Sequence, residues 1–207
     1  MNFILSYLSE ITMTEFNLFL THKELFGILA GLVSFFAYIP YILSIIKKET
    51  KPSRSSWWIW SLVGLMILFS YYSLGARSTI WIPVVFFFCP FLVALLSFKF
   101  GEGKNLNYLD KIYFVGAIFS MFAWLVFKSA EIAFFINIFI DFLGFLPTFK
   151  KTFLNPSYEN KTSWTLFLIG SILNLMAIEV LLPSIVLYPI YMFIMDIIML
   201  CLIFRKK

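Results

Sequence analysis

Residues 24–54, with the sequence ELFGILAGLVSFFAYIPYILSIIKKETKPSR, decide the fold class of this chain. Positions 25–46 carry no charged side chain, and four basic residues occupy the eight positions that follow. About 20 apolar residues in a helix suffice to cross the hydrocarbon core of a bilayer. Because lipid offers no partner to backbone polar groups, such a segment is expected to be a transmembrane α-helix.

The same pattern recurs along the whole chain of 207 residues. Hydrophobic residues make up 61% of the sequence and charged residues 13%, whereas soluble domains have roughly 45–50% and 25%. We therefore predict an all-α integral membrane protein with seven transmembrane helices and a lipid bilayer as its surroundings. The predicted spans are 24–46, 54–74, 80–98, 108–127, 130–150, 162–182 and 184–204.

Composition also excludes several kinds of chemistry. His22 is the only histidine, so no histidine cluster can bind a metal and a catalytic triad has a single candidate base. Cys89 and Cys201 lie in apolar runs without CxxC spacing, and no GxxxxGK[ST] run indicates a nucleotide site. We therefore expect no metal, no cofactor and no enzymatic activity.

The distribution of lysine and arginine predicts the orientation of the spans. Thirteen of the sixteen basic residues fall in alternate loops or in the C-terminal tail: Lys47, Lys48, Lys51, Arg54, Lys99, Lys104, Lys111, Lys150, Lys151, Lys161, Arg205, Lys206 and Lys207. By the positive-inside rule, this face is cytoplasmic and the N-terminus lies outside. The basic charge therefore reflects topology rather than nucleic-acid binding. High Phe, Ile and Lys contents favour a bacterial inner (plasma) membrane.

An internal repeat relates the two halves of the chain. The separation in sequence between Pro40 and Trp57 is identical to that between Pro147 and Trp164. Each pair encloses a basic loop, so the match falls at equivalent topological positions. The spacing predicts an N-terminal extracytoplasmic segment (1–23), a first triple-helix unit (24–98), a linker helix (108–127) and a second unit (130–204). Both units would start outside, which makes them parallel repeats.

Two stretches of sequence resemble the PQ-loop pattern of SWEET-type and cystinosin-like transporters. They are Gly27…Ser34…Pro40-Tyr41…Lys47-Lys48…Ser53…Ser56…Tyr71-Tyr72…Gly75 and Asp141…Pro147-Thr148…Lys150-Lys151…Thr162-Ser163-Trp164…Asn174. In that pattern a Pro-Gln pair ends the first helix of each repeat; here Tyr41 and Thr148 replace the glutamine. The resemblance implies a SWEET-like 3+1+3 fold and secondary transport of a small polar solute.

Polar residues in the middle of apolar spans are the candidate binding residues. Asp141 and Asp196 lie near the centres of the fifth and seventh spans, and Asn174 lies near the centre of the sixth. Asn137 shares a helix face with Asp141, since it precedes that residue by one helical turn. An ionised Asp at the bilayer centre costs about 2.5–3.5 kcal/mol on insertion scales, so such residues usually have a role. We predict that these carboxylates bind a polar or cationic group of the substrate, or a coupled proton.

The first unit has different residues at the corresponding positions. Ala30, Ser34, Ile67 and Cys89 stand where the second unit has Asn137, Asp141, Asn174 and Asp196. The predicted site is therefore asymmetric. This asymmetry argues against a simple carrier of neutral sugars.

Aromatic residues and prolines complete the predicted site. Trp60 and Tyr71 are candidates to line the cavity, whereas Trp57 and Trp58 are expected in an aromatic belt at the membrane interface. Proline inside a helix leaves one carbonyl without its hydrogen bond and bends the axis. We therefore predict that Pro40 and Pro147 act as hinges for alternating access.

The sequence is also compatible with several other functions. A membrane receptor or sorting protein could share the seven-helix fold, as KDEL receptors do. A membrane-embedded enzyme is the least favoured alternative, and a PnuC-type vitamin carrier is a variant of the transporter prediction. The solute could be a sugar, an amino acid or a vitamin. The Gly27-x-x-x-Gly31 face could pack within one bundle or in a homo-oligomer.

Overall fold

The computed structural model describes residues 22–101 and 130–205, together with Tyr108, Lys111, Val115, Phe119 and Phe122. Over these residues the chain is helical and contains no β-strand. The six long helices among them are α1 (His22–Ile46), α2 (Arg54–Ser73), α3 (Trp81–Phe100), α4 (Ala130–Leu154), α5 (Lys161–Met176) and α6 (Pro183–Phe204). Single 3₁₀ turns at Ser78–Ile80 and Pro156–Tyr158 precede α3 and α5. Most of the predicted N-terminal segment 1–23 and of the predicted linker helix 108–127 lies outside the described residues.

Three of the described helical segments are long and apolar enough to cross a membrane. They are His22–Ile46, Ser78–Phe100 and Pro183–Phe204. Their outward faces carry large exposed apolar side chains, for example Phe36 on α1 and Phe88 on α3. Serines, asparagines and aspartates are instead buried among the helices. An integral membrane protein is expected to have this pattern, with apolar residues on the outside and polar residues inside.

The predicted sixth span, 162–182, differs most from the helix observed there. Helix α5 ends at Met176, where the backbone N–H of Ala177 bonds back to the carbonyls of Leu173 and Asn174. The chain then has no helical structure before α6, which starts at Pro183. Proline suits the first turn of a helix because its missing N–H has no partner there. Hydropathy alone did not locate this break, since residues on both sides of it are apolar.

The helices pack in a pattern that crosses between the two halves of the chain. Helix α1 makes its most extensive contacts with α5, and α4 packs on α2. Within each half, α2 packs on α3 and α5 packs on α6. Smaller interfaces join α1 to α3 and α4 to α6. The interior is therefore shared by the halves rather than enclosed separately by each.

Glycines allow the closest approaches between these elements. A Cβ at Gly27 would overlap the backbone carbonyl of Ser78, and one at Gly31 would lie 2.8 Å from the Cβ of Trp81. The Gly27-x-x-x-Gly31 face therefore packs inside the bundle, against the start of α3. On the other side of the interior, Gly170 of α5 packs against the hydroxyl of Ser34. Small residues in membrane helices let backbones approach in this way.

Candidate functional site

A cavity that is partly open to the outside lies between the two halves of the chain. Helices α1 to α6 all contribute to its wall. Its lining residues are Tyr38, Trp57, Trp60, Gly64, Phe86, Pro90, Asp141, Phe145, Trp164, Phe167, Tyr188, Met192 and Asp196. The wall therefore combines two carboxylates with a large aromatic surface. Among the described residues that line it, none is lysine, arginine or histidine.

Six aromatic side chains of this wall contact one another in a closed circuit, which we call the aromatic hexad. In order, its members are Tyr38, Trp57, Trp60, Phe145, Trp164 and Phe167. Neighbouring ring centroids lie between 4.7 Å, for Trp60 and Phe145, and 6.4 Å, for Phe145 and Trp164. These are normal distances for edge-to-face and tilted aromatic pairs. Helices α1, α2, α4 and α5 all supply members, so the hexad joins both halves.

Each carboxylate of the cavity is held by a hydroxyl group from a neighbouring helix. The hydroxyl of Tyr191 on α6 donates a 2.7 Å hydrogen bond to Oδ2 of Asp141 on α4. The hydroxyl of Ser171 on α5 donates to Oδ2 of Asp196 on α6. Both aspartates are buried, at 6% and 1% exposure. The hydroxyl partners fix the orientation of each carboxylate, and within the described part of the chain no hydrogen bond engages its Oδ1.

The indole N–H of Trp60 is a buried donor with no hydrogen-bond partner among the described residues. Its side chain is 8% exposed, and the indole Nε1 bonds to no acceptor among the described residues. This nitrogen lies beside α4, at 3.1 Å from where a Cβ on Gly144 would stand. Buried N–H groups are nearly always paired with protein, water or ligand. This nitrogen is therefore buried against α4 and is not exposed to the cavity.

A polar network closes the end of the bundle formed by loops 47–53 and 155–160, which we call the basic end. Glu159, 4% exposed, accepts hydrogen bonds from the hydroxyl of Tyr41 at 3.0 Å and the indole of Trp164 at 2.8 Å. Lys151 forms an ion pair with Glu159 and donates to the backbone carbonyl of Lys51 at 2.6 Å. These contacts join the first half of the chain to the second.

The basic end has a second connection between the halves. The hydroxyl of Thr148 on α4 donates a 2.9 Å hydrogen bond to the hydroxyl of Ser56 on α2, which donates in turn to Ser53. Tyr41 and Thr148 directly follow Pro40 and Pro147. The residues that follow the two prolines therefore both take part in closing this end.

Different contacts join the halves at the opposite end, formed by residues 74–80 and 177–182. Glu179 accepts hydrogen bonds from the backbone N–H groups of Arg77 and Ser78, at 2.7 and 2.9 Å, and from the hydroxyl of Ser78. The hydroxyl of Tyr71 donates to the carbonyl of Ile185 at 2.7 Å. Both ends of the bundle are thus bridged by hydrogen bonds between the two halves.

The predicted site residues occupy several different places in this arrangement. Asp141, Asp196 and Trp60 line the cavity. Tyr71 lies one layer away, with its ring 5.6 Å from that of Tyr188, which does line it. Asn137 and Asn174 are fully buried among the helices but do not line the cavity.

The prolines and the interfacial tryptophans also have defined positions. Pro40 and Pro147 lie inside α1 and α4, close to the basic end. Trp58 packs beside Phe91 and Phe98, with ring centroids 5.9 and 5.5 Å away. The expectation that Trp57 belongs to an interfacial belt was wrong, because its side chain is 2% exposed and lines the cavity. Hydropathy cannot separate a ring at the membrane interface from one that faces the interior.

Sequence reasoning missed most of the hexad and the whole Glu159 network. A signal for the hexad was present, because the offset that relates Pro40 to Pro147 also pairs Tyr38 with Phe145 and Trp60 with Phe167. A comparison of residue identity alone overlooks such aromatic pairs. No sequence signal pointed to Glu159, which stands in a polar loop where an exposed carboxylate is the ordinary expectation.

Known proteins provide no further guide to the site. No protein-family model matches the chain, nor does any curated protein or solved structure.

Proposed function

We propose that this protein is a secondary transporter of the SWEET and PQ-loop type, which moves a small polar solute across a membrane by alternating access. The observation that carries the proposal is the aromatic hexad around a cavity with two buried carboxylates. A cavity shared by two helical units and lined by a few polar groups suits a transported solute.

The composition of the hexad supports the 3+1+3 repeat. Its six members form three pairs at the same offset that relates Pro40 to Pro147: Tyr38 with Phe145, Trp57 with Trp164, and Trp60 with Phe167. Helix packing supports it as well, because the six largest interfaces form three equivalent pairs. The α1–α5 interface corresponds to α4–α2, α2–α3 corresponds to α5–α6, and α1–α3 corresponds to α4–α6. A seventh span at 108–127 would complete this arrangement and keep both units parallel.

Hydrogen bonds at the two ends support alternating access. The contacts of Glu159 and Thr148 join the halves at the basic end, and those of Glu179 and Tyr71 join them at the opposite end. Opening the cavity to one side requires breaking one set while the other stays closed. Pro40 and Pro147 lie next to the first set, where a bend in α1 or α4 would separate Tyr41 and Thr148 from their partners.

The two carboxylates distinguish the second unit and favour proton coupling. Ser34 and Cys89 occupy the corresponding positions of the first unit, so both carboxylates that line the cavity come from the second unit. Carboxylates inside a membrane usually mark a path for a proton or an ion. In the proposed orientation the basic end faces the cytoplasm of a bacterium, as the positive-inside rule requires.

Transport by purified protein in liposomes tests the proposal. Radiolabelled sugars, amino acids, vitamins and amines would be offered to proteoliposomes and to protein-free liposomes, with an internal pH dye to report proton movement. We expect at least one solute to accumulate faster with the protein and to move protons with it. A ligand that binds the protein but never crosses the bilayer would contradict transport and would favour the receptor alternative.

A further inference from the structure

The charges of the cavity wall are unbalanced. Asp141 and Asp196 both line it, and neither makes an ion pair within the described residues. A buried carboxylate is costly unless it is paired, protonated or bound to a cation. A ligand that brings its own positive charge would supply what the wall lacks.

The aromatic hexad adds a second attraction for positive charge. Its three tryptophans, Trp57, Trp60 and Trp164, contribute the ring type that binds cations best. Phe145 lies between two of them, with centroid distances of 4.7 Å to Trp60 and 6.4 Å to Trp164. Aromatic cages of this kind are a common means of recognising ammonium ions.

We propose that the cavity binds a small organic ammonium ion that carries no carboxylate, with its cation between the aspartates and the aromatic hexad. This inference names the substrate class of the transporter and therefore rests on the proposed function. An amino acid fits less well, because no described lysine, arginine or histidine of the wall would pair its carboxylate. A neutral sugar could use the rings and the oxygens but would supply no positive charge, so both carboxylates would depend on protons alone for neutralisation.

Binding of matched small molecules to the purified full-length protein tests this. The cationic probes are choline and 2-phenylethylamine. In betaine a carboxylate replaces the hydroxymethyl group of choline, and phenylalanine is 2-phenylethylamine with an added carboxylate. In 3,3-dimethyl-1-butanol and 2-phenylethanol a neutral group replaces the cationic one. Titration calorimetry would measure affinity, and tryptophan fluorescence would report occupancy, since three tryptophans line the cavity. We expect at least one amine to bind about tenfold more tightly than both of its matches, which corresponds to ~1.4 kcal/mol.

Variants locate the binding. Asp141→Asn and Asp196→Asn should each weaken amine binding about tenfold or more, whereas Glu131→Gln, at an exposed acid of α4, should leave it unchanged. Thermal unfolding of each variant shows whether it is folded. The amine affinity of Trp60→Phe, which keeps an aromatic ring at this position, is a second measurement of the site. The proposal is overturned if neither amine binds more tightly than its matches, or if binding survives in both Asn variants.

The same data separate this inference from the proposed function. Amine binding without any uptake into liposomes would contradict the proposed transport but support the proposed ammonium site. Uptake of a sugar, together with no amine binding, would support the proposed transport but contradict the proposed ammonium site.

Discussion

At the scale of single residues, two hydroxyl groups hold the buried carboxylates of the cavity wall. Tyr191 holds Asp141 and Ser171 holds Asp196, in each case through Oδ2. A hydroxyl can donate to a charged or to a protonated carboxyl group, so these partners tolerate both states. The arrangement suits a group that gains and loses a proton during a transport cycle.

Replacing either aspartate should therefore impair solute uptake, and its dependence on pH shows whether that carboxylate carries the coupled proton. We expect Asp141→Asn and Asp196→Asn to lower uptake about tenfold or more, and at least one of them to remove its dependence on pH. Uptake by proteoliposomes between pH 5 and pH 8 measures this. Glu131→Gln is the control on α4. If both Asn variants kept the wild-type rate and pH profile, neither carboxylate would have the proposed role.

At the scale of helices, prolines and glycines govern how the elements meet. Pro40 leaves the carbonyl of Phe36 without its helical hydrogen bond, and Pro147 does the same to that of Leu143. Each proline lies in a helix that packs on the other half of the chain. A bend at these positions would therefore move one half against the other.

Removing the prolines tests whether these helices bend during transport. We expect Pro40→Ala and Pro147→Ala to reduce the uptake rate several-fold while the protein stays folded, because a restored hydrogen bond stiffens the helix. Pro183→Ala is the matched control, since proline in the first turn of α6 removes no helical bond. Unchanged uptake in both hinge variants would show that the prolines are static.

Glycine at the closest contact of α1 should be needed for stability. Gly27→Ala places a Cβ against the backbone carbonyl of Ser78, which cannot move aside as a flexible side chain would. Overpacking of this kind costs roughly 1–3 kcal/mol. Thermal unfolding in detergent should show a lower Tm, whereas Leu29→Ala, on the exposed face of the same helix, should change it little. Equal Tm values for the two variants would contradict the proposed packing.

At the scale of the whole molecule, polar contacts join the two halves of the chain at both ends of the bundle. Glu159 joins Tyr41 of the first half to Trp164 and Lys151 of the second. At the opposite end, Glu179 accepts hydrogen bonds from the backbone N–H groups of Arg77 and Ser78, where the 3₁₀ turn before α3 begins. Weakening one set should shift the population toward the state that is open on that side.

Accessibility of the cavity from each side measures this shift. In a variant with Met192→Cys as the sole cysteine, Glu159→Gln should speed modification by an impermeant thiol reagent from the basic end. Glu179→Gln should speed it from the opposite end. A population shift of ~1.4 kcal/mol gives a tenfold change in the ratio of the two states. Equal effects of both variants on both sides would contradict gating by these glutamates.

How far the sequence predicts this protein depends on the range of the interactions involved. Transfer of a helix into lipid depends on its own side chains, so hydropathy was enough to predict α1, α3 and α6 as spans. Asp141 and Asp196 were likewise recognisable as unusual without any knowledge of their neighbours, because their cost arises from the membrane itself. The end of α5 at Met176 was not predictable in this way, since apolar residues flank it.

Sequence by itself determined that this chain belongs in a membrane and that two acids lie in apolar segments. Tertiary structure alone decided that Tyr38 meets Phe167, that Trp60 meets Phe145, and that Glu159 bonds the distant Tyr41. The physical reason is that hydropathy sums over neighbours in the chain. A closed circuit of rings and a buried ion pair instead depend on which faces of distant helices come together, and packing of all the helices at once settles that.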